Sequence, residues 1–202
     1  MGLIQCDIPV WLGESALQFI KKEVPDLAGI VWTGDNLQHN IWSQTEDESI
    51  WNTRHTSEML KEHFGGIPVF PVLGNHEPVP VNEYDTEDKH NKLNLSIGNV
   101  WSDWLDGRAL AQFNETGYYE MEMEMLPNTR LIGLNSQACN NLNYFFFRLH
   151  TDPGHQLNWL ESRLKAARVD KKGVWLVSHI PSGSVDCFSE WSIRFRALID
   201  AF

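Results

Sequence analysis

The chain has 202 residues, 42% of them apolar and 21% charged, with nine tryptophans and a formal charge of −11. That suits one domain with a sizeable core, and excludes a disordered chain and a membrane-spanning one, since no apolar run approaches bilayer length. The acidic balance argues against a nucleic acid polymer as partner, because phosphate contacts need a basic surface; on an acidic protein, bound metal ions could supply local positive charge.

The first residues, Met1 to Asp7, have no basic segment followed by an apolar one, so no signal peptide is expected there, and they do not fit a myristoylation pattern. Three cysteines and two sequons, at Asn94 and Asn114, nevertheless suit a secreted or lysosomal glycoprotein. Val10, Leu17, Phe19 and Ile20 predict a helix over 10–23, ended by Pro25-Asp26. The apolar run Gly29-Ile-Val-Trp-Thr-Gly-Asp35 predicts a strand with a carboxylate at its tip and His39 four residues on. A helix follows from about Ile50 to Phe64, closed by Gly65-Gly66, and its histidines, His55 and His63, read as solvated helix residues. Ile67 to Val72 is a second strand, which stops at Gly74 and delivers Asn75 and His76 to a turn.

From Val79 to Gly98 the chain reads as loop, and Trp101 and Trp104 then stand at helical spacing, either as core or as a rim touching lipid. In Tyr118 to Met125 the methionines alternate with Glu120, Glu122 and Glu124, which predicts a strand with one wet face; Arg130 to Asn135 is a buried strand. Tyr144 to Phe147 is either core-facing or an apolar wall beside a site. Asp152-Pro153 opens a helix carrying Leu157, Leu160, Leu164 and Ala167. Val174 to Ser178 is a strand ending in His179, and Glu190 to Phe202 is a final helix.

Three strands thus end in Asp35, Asn75-His76 and His179. Their oxygen and nitrogen donors suit divalent zinc, manganese or iron. The order Gly-Asp-x-x-x-His, Gly-Asn-His-Glu, then an apolar run ending in His resembles the calcineurin-like metallophosphoesterases. Finer detail in Trp32 to His39, Pro68 to Asn82, Leu134-Asn135 with Cys139, Thr151-Asp-Pro153 and Ser178-His-Ile-Pro181 is similar to acid sphingomyelinase and its phosphodiesterase relatives.

The resemblance implies an α/β fold, a sandwich of two mixed β-sheets flanked by helices. Residues 1–202 would form a partial catalytic domain, without its first strand and its C-terminal part. It implies a dinuclear zinc site in which Asp35 bridges the ions and Asn75 and His179 bind one of them. His76 would be the general acid facing the leaving group, and His39 would lie near the substrate phosphate. It also implies a Cys139–Cys187 disulfide, worth roughly 4 kcal/mol for so long a loop, and leaves Cys6 without a partner. The family's Asp-x-His and Gly-His-x-His ligand pairs, expected before Cys6 and after Phe202, have no counterpart here, and His90, His150 and His155 match no ligand position. The implied reaction is cleavage of sphingomyelin to ceramide and phosphocholine, with peripheral membrane contact. The alternatives are a phosphodiesterase for nucleotides or other phosphate esters, and a non-catalytic relative; a fragment of an enzyme is expected to be inactive alone.

Overall fold

The computed structural model describes residues 7–148 and 151–202, so the expectations for Cys6 and His150 fall outside the described residues. In chain order the elements are α1 (Val10–Glu23), β1 (Ile30–Trp32), α2 (Glu46–Phe64), β2 (Val69–Pro71), α3 (Lys92–Trp101), α4 (Gly107–Thr116), β3 (Tyr119–Glu122), β4 (Thr129–Gly133), α5 (Gln156–Asp170), β5 (Gly173–Val177) and α6 (Ser189–Asp200). The expected α/β class is present, with the strands in two small sheets. One is the parallel pair β1–β2, with Ile30 opposite Val69. The other has the order β3–β4–β5, antiparallel then parallel, with Gly133 opposite Val177. Only the second is mixed among the described residues.

Each parallel pair is joined through a crossover helix, α2 for β1–β2 and α5 for β4–β5, as parallel strands require. Main-chain bonds carry each pair one step further, Val72 N–H to Trp32 O at 2.9 Å and Leu134 N–H to Val177 O at 2.8 Å. The buried Tyr119 hydroxyl donates to Pro71 O at 2.9 Å and ties the two sheets together. Phe70, Val72 and Leu73 pack with Ile97 and Trp101 of α3 and Phe113 of α4 in the main core, while Leu160 and Leu164 of α5 cover Ile132 and Leu134. Trp101 and Trp104 both meet Trp32 edge-on, at 5.7 and 6.1 Å between ring centroids, which decides for packing over a lipid-facing rim.

Several expectations need correction. Helix α2 starts four residues before Ile50, because Thr45 and Glu48 form a reciprocal capping box and the acidic first turn suits the helix dipole. The stretch expected to be loop up to Gly98 is helical from Lys92, capped by Asn91, and α4 was not anticipated at all; Asp106 caps it by accepting from Arg108 N–H and Ala109 N–H. Helix α5 begins at Gln156 after a short 3-10 turn, with the Asp152 carboxylate accepting from Leu157 N–H and Asn158 N–H. Glu120 is not on a wet face: it shares its side of β3 with Ile132, which α5 covers, and is buried between Arg108 and Arg163. Asn94 is fully buried in α3 and accepts from the Tyr84 hydroxyl at 2.9 Å, so this fold has no room for a glycan there. Asn114 lies half-buried on α4 with its side-chain oxygen turned toward Gly98.

Candidate active site at the strand ends

The site is built where the loops after β1, β2 and β5 converge. Gly34 and Asp35 both take positive φ, 84° and 62°, which reverses the chain sharply after β1. A Cβ on Gly34 would stand 2.2 Å from Gly74 N, and one on Gly74 would stand 2.1 Å from Asp35 Oδ1. Only glycine at both positions allows the two loops to cross in contact.

The buried Glu77 carboxylate fastens this crossing. It accepts from Gly74 N–H at 2.6 Å, Asn36 N–H at 2.8 Å, Asp35 N–H at 3.2 Å and the Asn36 side-chain amide at 2.9 Å. Burial raises its pKa against those donors, which favour the anion. The main-chain oxygen of Glu77 also accepts from the Ser49 hydroxyl, so α2 is tied to the same turn.

Asp35 is thereby held with Oδ1 accepting from His76 N–H at 3.0 Å and Oδ2 3.2 Å from His179 Nε2. His179 Nε2 also lies 2.8 Å from Asn75 Oδ1, while Nδ1 lies 2.7 Å from Thr33 O. A carbonyl only accepts, so Nδ1 carries a proton and Nε2 is the nitrogen turned to Asp35 and Asn75. Burial would raise the Asp35 carboxyl, but hydrogen bonds from His179 and His76 N–H outweigh it and hold the pKa below its ordinary value. Burial would lower the His179 imidazole, and the Asp35 carboxylate reverses that.

His76 is itself buried, with Nδ1 unpartnered, and its pKa is pushed down by burial despite the Asp35 charge. Its ring meets that of His39 edge-on at 4.7 Å. His39 is exposed, and Asp7 grips it twice, Oδ1 on Nδ1 at 2.6 Å and Oδ2 on the backbone N–H at 2.9 Å.

The five side chains singled out in the sequence are therefore neighbours. Asp35, Asn75 and His179 form one cluster, with His76 and His39 beside it. His55 stacks on Trp51, and His155 lies 3.9 Å from Glu87. Cys139 and Cys187 are disulfide-bonded, with Cα atoms 4.9 Å apart, and join the segment after β4 to the His179 loop.

A family model for calcineurin-like phosphoesterases matches residues 14–198. The chain belongs to that calcineurin-like phosphoesterase family. Calcineurin-like phosphoesterases use divalent metal ions, and the donors here fit one: a carboxylate oxygen and an amide oxygen lie 3.2 and 2.8 Å from the same imidazole nitrogen. Among the described residues no three His, Cys, Asp or Glu side chains are so grouped, and the Asn75 amide is what completes the triad.

Among similar proteins, sphingomyelin phosphodiesterase B of Dictyostelium discoideum is 34% identical over 204 residues, covering 100% of this chain and 32% of the relative. Human sphingomyelin phosphodiesterase is 31% identical, covering 96% of this chain and 31% of its own length. A human cyclic GMP-AMP phosphodiesterase is 30% identical over 183 residues, covering 90% and 40% respectively. The chain thus spans about a third of the length of the curated relatives it matches first.

Sequence reasoning assigned no role to Glu77, Asp7, Asn82 or Asn140. Glu77 follows His76 directly, and its place in the same polar turn as Asn75 and His76 was the available signal. Asp7 meets His39 across 32 residues and Asn140 meets Asn82 across 58, so neither contact could be read locally.

Proposed function

We propose that this chain supplies part of the active site of a metal-dependent phosphodiesterase that cleaves sphingomyelin to ceramide and phosphocholine. The observation that carries the reading is the convergence of Asp35, Asn75 and His179 beside the buried His76. Asp35, Asn75 and His179 would hold zinc, Asp35 being shared with a second ion. Bound zinc supplies charge neutralisation at the diester and acidifies a water.

The chain's own residues do the rest. His39, exposed beside His76, meets a phosphate oxygen and offsets its charge. Water oxygen attacks phosphorus, the bond to the ceramide oxygen breaks, and His76 gives its proton to that departing oxygen. The depressed pKa of His76 makes it a ready donor once protonated, and its burial keeps bulk water from competing. The reading brings with it zinc as the metal, peripheral contact with a lipid surface, and secreted or lysosomal residence with Asn114 as the remaining glycan acceptor. No helix among the described residues is long and apolar enough to cross a membrane.

The test is phosphocholine release from sphingomyelin vesicles by the full-length protein, with and without His76→Ala. A fall in turnover of about 10²–10⁴-fold with zinc content unchanged is expected; a normal rate would remove His76 from its role. A second reading, cleavage of a nucleotide phosphodiester, is favoured by the near-equal identity to the cyclic GMP-AMP phosphodiesterase, and the same assay with a cyclic dinucleotide distinguishes the two.

A further inference from the structure

An amide side chain offers an oxygen at one end and an NH₂ at the other, and only the oxygen binds a cation. Which end of Asn75 faces His179 is therefore decisive, and a chain of amides running from the buried Asn140 through the half-buried Asn82 fixes it. The chain is anchored on a main-chain group: Leu142 N–H donates to Asn140 Oδ1 at 3.0 Å, which leaves Asn140 Nδ2 as the outward donor. Asn140 Nδ2 reaches Asn82 Oδ1 at 2.8 Å and Gln137 Oε1 at 2.8 Å. Asn82 Oδ1 accepts a second time, from Asn75 Nδ2 at 3.0 Å. With its NH₂ committed there, Asn75 has only Oδ1 to present at 2.8 Å from His179 Nε2.

The backbone supports this order. Asn82 has φ 70°, a left-handed conformation that asparagine tolerates, and its N–H donates to Asn75 O at 3.0 Å, closing the turn that brings its own side chain back. Asn140 bridges to Cys187 and follows Cys139, so the disulfide pins the far end of the relay. Asn75, Asn82, Asn140 and His179 all line one cavity of about 250 Å³.

We propose that Asn82 and Asn140 are positioning residues that set the polarity of Asn75, so that its carbonyl oxygen and not its amino group faces the cation. This rests on the reading of Asn75 as a ligand. Asn82 uses its oxygen alone in the relay, so aspartate can replace it and glycine cannot, and both tolerate the positive φ.

The experiment is calorimetric titration of zinc alone into the full-length protein, stripped with chelator, as wild type, Asn75→Ala, Asn82→Gly and Asn82→Asp, with thermal unfolding of each. Asn82→Gly is expected to weaken zinc binding by about 10–100-fold, as loss of a group orienting a ligand does, at little cost in unfolding temperature, and Asn82→Asp to restore it to within a few-fold. The Asn75 side-chain amide protons, slow to exchange by NMR in wild type and Asn82→Asp, should exchange fast in Asn82→Gly. If Asn75→Ala weakens binding and Asn82→Gly does not, or if Asn82→Asp is as weak as Asn82→Gly, the relay is overturned and the ligand reading stands. If Asn75→Ala binds zinc like wild type, or wild type binds none, the ligand reading falls and takes the relay with it.

Discussion

The inner and outer sides of the site are built differently. On the inner side the β1 and β2 loops touch at Gly34 and Gly74, and Glu77 draws four N–H groups onto one buried carboxylate. On the outer side His39 stands on an exposed loop, hydrogen-bonded to Asp7 and meeting the His76 ring edge-on. The groups proposed to share a cation are held by hydrogen bonds around the loop crossing, and the group proposed to meet the substrate stands on an exposed loop. Fixed donors lower the cost of assembling a metal site, whereas a phosphate contact is made and lost in every turnover.

The contrast predicts that the heaviest damage comes from the inner side. Glu77→Ala strands three main-chain N–H groups, that of Gly74 fully buried, and a loss of about 3–5 kcal/mol in urea unfolding is expected, together with loss of zinc. Cys139→Ser should come next, at about 2–4 kcal/mol, with weaker zinc binding because Asn140 loses its anchor. His39→Ala should leave the unfolding midpoint within about 0.5 kcal/mol of wild type while kcat/KM falls by roughly tenfold. A large stability loss in that variant would erase the distinction between the two sides.

The smallest effect is at Asp7, whose carboxyl the His39 hydrogen bond holds below the ordinary 3.8. A lowered carboxyl stabilises the fold above its unfolded pKa, and that contribution is lost as pH falls through the folded value. Both partners are largely exposed, so Asp7→Asn should flatten the acid limb of stability against pH by no more than about 0.5 kcal/mol.

The sequence exposed the strand tips because an apolar run ending in glycine and then a polar residue is a local pattern, complete within a few positions. The start of α2 was equally local, in Thr45 and Glu48, and was passed over in favour of the apolar residues after it. Helix α4 and the burial of Glu120 were harder to see. The alternation in Tyr118 to Met125 reports that β3 has two faces, but not that α5 covers the second. Asn94 fits a sequon by composition, and only the packing of α3 against Tyr84 shows that it points inward. The inner lock was illegible for a different reason: Asp35 N–H and the Glu77 carboxylate are 42 residues apart, and their meeting depends on the register of β1 and β2.

That register has a practical side. Strands β4 and β5 run toward His179, so the tight turn from Met123 to Thr129 and the adjoining corner at Lys171, where Gly173 N–H meets Asn128 O, occupy the opposite pole of the sheet. Asn128 and Lys171 are exposed and already in left-handed conformations. A fluorophore or a surface tether attached there would leave the three strand tips facing open solution, so the protein can be immobilised for single-molecule or vesicle-capture work with its mouth outward.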